Sequence, residues 1–366
     1  MRLVQISDLH LSTMAATAAD GRMVRYTEAQ LRDGHPNDGD NLAGLEAVLD
    51  AVEEQAPDFS RLVVTGDIAQ DEQAETYGLL RDQLARRGWL PRVLVLPGNH
   101  EQRDFLREAF PEQYRDDPPP HGGFAVTEGG WRLVGVDTHD TDAKLGWDGE
   151  MSTLLGWDGG EGRLGGQQLS WLRQELHEHS STPTLIFMHH PPTDVGSRWL
   201  DEKGMIEAEG LSGFVRIVSP TYLLLKRPAA GLSAGLGARQ VSAAPQVRAI
   251  HSGHIHQAFD GLLQTDPHDE EEGTNTEEFG GSGFQSTLHS AIKVHAAPST
   301  AYQQVPRTEA AVAATAGDGE LAMPGFRIID CGESALHAWH QQHTTRVVRV
   351  PFPPDYPFEL PAKSKL

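Results

Sequence analysis

Cysteine is nearly absent from this chain: 366 residues hold one, Cys331. No internal disulfide can form, a thiolate-rich structural zinc site is excluded, and a reducing compartment with Cys331 as a buried structural thiol is the expectation. Basic residues are also in deficit, with 30 Lys and Arg against 52 Asp and Glu and a formal net charge of −22. The mean surface potential therefore repels polyanions, which argues against long nucleic acids as partners. Residues 266–278 supply seven of the carboxylates and no Lys or Arg, yet the rest of the chain stays acidic without them. No apolar run approaches the roughly 20 residues that span a bilayer, so no membrane segment is expected. The first residues, MRLVQISDLH, lack the apolar core of a signal peptide, and the protein is read as cytoplasmic. The last three, Ser-Lys-Leu, match a peroxisomal address, but so short a match arises by chance and is read as coincidence.

What the chain does contain is an alternation of short β-branched runs with helical patterns, the mark of an α/β sheet covered by helices. Strands are expected at residues 3–7, 61–65, 92–96, 124–127, 131–137, 184–188, 247–251 and 284–294, with three more near Phe326, Leu336 and Val347. Helices are expected around Leu42–Val52, over about 72–87 and 104–110, and at 167–179, where Leu169, Leu172 and Leu176 share a face. One domain over residues 1–350 accommodates these elements. Long insertions at about 194–245 and at 265–283 interrupt it, the first read as a lid or subunit contact and the second as an acidic loop. Residues 351–366 form a Pro-rich tail expected to lie extended. LGWDG occurs twice, at Leu145 and Leu155, and is read as local duplication or turn chemistry.

Residues able to hold a metal collect where strands end: Asp8 and His10, Asp67, Asn99, His189 with His190, and His254 with His256. Five expected strand ends in succession carry such a residue, and ligands of α/β sheets bind beyond the carboxyl ends of strands. Imidazole and carboxylate suit zinc, iron, manganese or cobalt. Asp8 and His10, two apart on what reads as an extended segment, point to one side and can share an ion. His254 and His256 have the same spacing, yet two ions about 3.5–4 Å apart can take one each. Asp67 is the natural bridge, and Asn99 adds a neutral carbonyl oxygen. Two divalent ions with two carboxylates and one hydroxide leave a single net positive charge, which attracts a phosphate locally against the acidic surface. Gly66, Gly98 and Gly253, beside these residues, suggest turns with positive φ or close backbone approach.

Taken together, SDLH, TGDIAQD, LPGNHE, MHHPP and GHIHQ resemble the calcineurin-like metallophosphoesterase superfamily. GSRWLD, GHIHQ and PSTAYQ are similar to the class III cyclic nucleotide phosphodiesterases, the bacterial cAMP phosphodiesterase group, and their glycerophosphodiesterase relatives. The resemblance runs from about Met1 to Asp330 and implies a four-layer αββα sandwich with a dinuclear centre. In this likeness Asp8, His10, Asp67 and His256 hold one ion, while Asp67, Asn99, His189 and His254 hold the other. The ions are divalent or mixed-valence iron, manganese or zinc. His189 is the ligand of its pair, and His190 a supporting or packing residue. The implied reaction is attack of a hydroxide between the ions on a small phosphodiester, with Asn99 and Asp67 in the centre and His100 assisting the leaving oxygen. A 3′,5′-cyclic nucleotide ranks first. A glycerophosphodiesterase or a broad phosphodiesterase and phosphomonoesterase is the alternative, and a catalytically silent metal-binding scaffold ranks last. The phosphoprotein phosphatase pattern is missing from GDIAQD. Relatives of this kind form dimers, so a homo-oligomer is expected. Glu101 stands where the family pattern usually has Asp, which bears on a hydrogen bond near the metals and not on the ligand count.

Overall fold

The computed structural model of the chain describes residues 1–13, 16–17, 23–24, 41–71, 73–114, 122–138, 160–196, 201, 204, 209–218, 246–263, 292–300, 324–332 and 343–351. In chain order the strands are β1 (Arg2–Ile6), β2 (Ala16–Thr17), β3 (Met23–Val24), β4 (Arg61–Thr65), β5 (Val93–Leu96), β6 (Phe124–Glu128), β7 (Trp131–Gly135), β8 (Thr184–Phe187), β9 (Val247–Ser252), β10 (Phe259–Leu262), β11 (Lys293–Ala296), β12 (Gly325–Cys331) and β13 (His343–Arg349). The helices are α1 (Asn41–Gln55), α2 (Ala74–Arg86), α3 (Arg103–Ala109), α4 (Gly166–Glu178) and α5 (Glu209–Val218).

Two sheets carry the molecule. The first has the order β13-β12-β1-β4-β5 and the second β10-β11-β9-β8-β7-β6, with β2 and β3 a small separate pair. β1, β4 and β5 run parallel, as do β7, β8, β9 and β11. Strands covered on both faces read as unbroken apolar runs, which is why RLVVT, VLVL and TLIF carry little polar patterning. Their period of two is visible in what each residue meets. Leu62 and Val64 join an outer core with Leu45, Val48, Leu49 and Val52 of α1 and Tyr77, Leu80 and Leu84 of α2. Val63 between them faces the other way, meeting Leu133, Leu185, Phe187 and Ala249 of the second sheet. Ile186 and Ile250 point outward to Leu172 and Leu176 of α4 and to Phe214 and Val218 of α5. Helices, sheet, sheet and helices thus form the four-layer αββα sandwich. Among the described residues no helix is long and apolar enough to cross a membrane.

The expected strands and helices that fall on described residues appear within a few residues of their predicted ends. Besides the two-residue strands β2 and β3, two elements were not foreseen. β10 pairs antiparallel with β11 as an edge strand of the second sheet, and its short FDGL carries no alternation to announce it. α5 lies inside the stretch expected as an insertion, although Leu211, Phe214, Val215 and Val218 follow helical spacing and pack in the core. Gly210 and Gly213 mask it, because glycine weakens an isolated helix by about 1 kcal/mol. Gly213 has a packing reason, since a Cβ there would meet Leu169 Cδ1 at 2.8 Å. The LGWDG pair, the acidic loop at 265–283, residues 284–291, the strand near Leu336 and residues 352–366 lie outside the described residues. Cys331 is a free, buried thiol, as its isolation suggested.

Candidate metal centre

The metal-type residues sit just past the carboxyl ends of β1, β4, β5, β8 and β9. Those ends are not successive, because β6 and β7 intervene, and the end of β7 contributes Asp137 and Thr138 instead. The two sheets present their ends together and tie them across the gap. His254 N donates to Asp8 Oδ1 at 3.0 Å, and Gln5 Nε2 donates to Thr65 Oγ1 at 3.0 Å and to Ser252 O at 2.9 Å.

The expectation that Asp8 and His10 lie on extended chain is corrected. Asp8, His10, Asp67, His254 and His256 have φ of 54°, 44°, 53°, 70° and 55°, all left-handed. Side chains with a Cβ avoid this region at a cost of about 1–2 kcal/mol per residue, so five such residues mark a backbone bent for a purpose and held there by neighbours. Asp8 N donates to Gly66 O at 3.0 Å, His10 N to Asp67 O at 2.9 Å and Gly253 N to His189 O at 2.9 Å. Ser299 Oγ donates to Asp8 O at 2.7 Å, and Asn41 Nδ2 to His10 O at 2.7 Å. Gly66 has φ of +94°, whereas Gly98 and Gly253 serve close approach, since a Cβ would strike Asp67 Oδ1 and Ser7 Oγ respectively.

The side chains converge in two groups. In one, His10 Nε2 and His256 Nε2 are 2.9 Å apart, with Asp8 Oδ1 3.5 Å from His256 Nε2. In the other, His189 Nε2 lies 3.2 Å from Asn99 Oδ1 and 3.3 Å from His254 Nδ1. Asp67 Oδ2 stands between the groups, 3.7 Å from His10 Nε2 and 3.3 Å from His189 Nε2. Tautomers follow from the partners behind. His189 Nδ1 faces the Thr65 carbonyl at 2.7 Å, and His10 Nδ1 faces Gln70 Oε1 at 2.5 Å. A carbonyl can only accept, so each ring turns its Nε2 lone pair inward. Imidazole nitrogens and carboxylate oxygens converging at such distances fit a dinuclear divalent metal site.

His190 belongs to the same cluster with His189 and His254 but is occupied otherwise. Its Nε2 donates to Gly160 O at 3.0 Å, and its Nδ1 accepts from Thr138 Oγ1 at 2.7 Å. No lone pair is left for an ion, and the ring lies against His254 with centroids 4.3 Å apart. His100 is aimed differently. Its backbone N donates to Asp67 Oδ1 at 3.1 Å and its ring meets that of His10 edge-on at 5.3 Å.

The charges say the same. Burial pushes Asp8 up to about 7, with Asp67 adding to the rise and His189 opposing it. Burial likewise drives His10 down to about 4 and His256 well below its usual value. Burial would also lower His189, but Asp67 and then Asp8 overcome it and hold the ring at about 10. The donor set draws one positive charge to the side chain beside the shared carboxylate. Sequence reasoning gave no role to Gln70, Ser299, Asn41 or Thr138. The first two fall inside quoted blocks, TGDIAQD and PSTAYQ, which was their only signal.

Such a sandwich, with a dinuclear His/Asp centre at the joint edge of its sheets, defines a metal-dependent hydrolase. The calcineurin-like phosphoesterase family matches residues 1–258, and the chain belongs to that family. It is 27% identical over 259 residues to a probable cyclic nucleotide phosphodiesterase of a Synechococcus strain, covering 71% of this chain and 74% of that one. It is 26% identical over 360 residues to the 3′,5′-cyclic adenosine monophosphate phosphodiesterase CpdA of Vibrio vulnificus, covering 97% and 93%. With the glycerophosphodiester phosphodiesterase GpdQ of Enterobacter lignolyticus it shares 26% over 205 residues, 55% of this chain and 60% of that one. The protein is a metallophosphoesterase, a metal-dependent phosphoester hydrolase.

Proposed function

We propose that this protein hydrolyses a small phosphodiester, with a 3′,5′-cyclic nucleotide as the leading substrate. The observation that carries the reading is the position of Asp67 Oδ2, within 3.7 Å of His10 Nε2 and 3.3 Å of His189 Nε2. One carboxylate there serves both groups. Asp8, His10, Asp67 and His256 would hold one ion, and Asp67, Asn99, His189 and His254 the other, in a donor set of N and O that suits iron, manganese or zinc. When bound, such a pair lowers the pKa of water towards about 7 and neutralises charge on phosphoryl oxygens. The rest is the work of the chain. Gln70 and the Thr65 carbonyl accept from Nδ1 of His10 and His189 and so leave Nε2 of each ring as the nitrogen that would ligate an ion. His100, outside both ligand groups, gives a proton or hydrogen bond to the leaving oxygen, a role worth roughly 10²–10⁴ in rate.

The cyclic nucleotide ranking rests on the relatives from Synechococcus and Vibrio. The glycerophosphodiester reading is kept because of the Enterobacter relative. A single cysteine and an acidic surface fit a cytoplasmic enzyme acting on a small substrate. The test is a panel of 3′,5′-cyclic nucleotides, glycerophosphodiesters and phosphomonoesters offered to protein reconstituted with manganese, iron or zinc. The highest kcat/KM is expected for a cyclic nucleotide. Preference for monoesters would overturn the ranking, and no turnover with any metal would favour the silent scaffold.

A further inference from the structure

Glu101 follows His100 directly and is 5% exposed, a carboxylate with almost no water. Its Oε1 accepts from Ile68 N at 2.7 Å and Ala69 N at 3.2 Å; its Oε2 accepts from Asp67 N at 2.8 Å and from Gly98 N. Three successive N–H groups around one anion make a backbone nest, an arrangement otherwise used to bind phosphate and other small anions. Here the anion comes from within the chain, and among the described residues backbone N–H groups alone hold it. Both oxygens face donors, so the geometry requires an acceptor at each.

The contact runs in both directions. Asp67 Oδ1 accepts from His100 N at 3.1 Å, so the shared metal carboxylate grips the loop after β5. Glu101, from that loop, grips the loop after β4 at the residue that bears the shared carboxylate. Between these two clamps lie the left-handed φ of 53° at Asp67 and the close approach of Gly98 to Asp67 Oδ1. A side chain shortened by one methylene would need the two loops to draw closer to keep all four N–H groups. A neutral amide would turn N–H against N–H.

We propose that Glu101 is a positioning residue for the metal centre: its carboxylate, seated in the nest of Asp67, Ile68, Ala69 and Gly98, fixes Asp67 relative to Asn99 and His100. The inference rests on the two-metal reading above. It is tested by Glu101→Gln and Glu101→Asp, with manganese binding measured by calorimetry and metal analysis alongside kcat and KM on a nitrophenyl phosphodiester. Wild type is expected to take up two ions. Glu101→Gln should bind manganese roughly 10- to 100-fold more weakly, the loss typical when a partner behind a ligand is removed, and at saturating metal should lose kcat with KM nearly unchanged. Glu101→Asp, which keeps the charge, should fall between. Wild-type metal affinity in Glu101→Gln overturns the role. If that variant fails to fold by circular dichroism, unchanged affinity in Glu101→Asp overturns it. Wild type that takes up no metal sinks the two-metal reading itself, a separate result.

Discussion

Two histidine clusters lie within a few residues of one another in this protein, and they are built in opposite ways. At the sheet edge His10, His254 and His256 stand on left-handed backbone and His189 just past the end of β8, with the carboxylates of Asp8 and Asp67 among them. Between the sheets, His251 of β9, His295 of β11 and His343 of β13 rise from regular strands. His251 and His295 are register partners, so their rings repeat at strand spacing and stack, 5.2 Å apart at 28°, with Phe187 stacked on the other side of His251 at 5.3 Å. His343 meets them edge-on at 6.1 and 5.7 Å. The cation of this second cluster is already in place. Arg327, 1% exposed, pairs with Asp260 at 2.9 Å, and Asp260 also binds His295 Nδ1 at 2.6 Å. Proximity of imidazoles is therefore not what makes a metal site. Strand geometry lays rings parallel, whereas chain that has left the strand can turn nitrogens towards a common point, and carboxylates supply the charge that holds a cation there.

The strongest way to break this contrast is to remove the carboxylate between the edge groups. Asp67→Ala should lose both ions and its activity, a larger effect than the roughly 100-fold expected from losing a partner behind a ligand. Metal analysis and phosphodiester turnover check it. Retention of both ions would mean that the two groups bind independently, without a shared ligand. Next in size is His100, which lies in the edge cluster but aims at neither group. His100→Ala should keep both ions and lose about 10²–10⁴ in kcat. Undiminished kcat would remove His100 from the chemistry.

The edge cluster was largely legible in the sequence and the inner one was not, for a physical reason. Strand ends are marked by a change from apolar run to turn, so Asp67 after RLVVT or His189 after TLIF can be placed without knowing the sheet order. Because parallel strands present the same end, residues in those positions meet. The backbone conformation was not legible: Asp8 and His10 read as extended and are left-handed, since propensity opposes that region for residues with a Cβ. His295 and His343 gave no signal either. His295 lies within β11 and His343 opens β13, and the neighbours of each are set by sheet order, namely β11 beside β9 and β13 in the other sheet. The same holds for Thr138, which reaches His190 only because β7 and β8 are adjacent.

The smallest predicted effect separates the clusters by how they respond to acid. Burial lowers His251 well below its usual 6.5, and His295, His343 and Arg327, which face it from β11, β13 and β12, lower it further. His343 is brought down to about 4, again by burial first. Among the described residues neither ring nitrogen of His251 has a hydrogen-bond partner, so the folded state keeps this ring neutral where the unfolded chain would protonate it. The sign follows directly. A folded value below the unfolded one gives stability that is complete above about pH 6.5 and declines as pH falls below it, by up to about 1.4 kcal/mol per pH unit for one proton. His251→Phe keeps a ring between Phe187 and His295 and has nothing to protonate. It should retain metal content and kcat at pH 8 while its unfolding free energy falls less steeply than wild type between pH 6.5 and 5. Acid also releases metals by protonating their histidines, but that contribution is common to both proteins and cancels in the comparison. Equal slopes would mean that the inner cluster tolerates the charge, and the distinction between histidines that gather a cation and histidines that exclude one would fail.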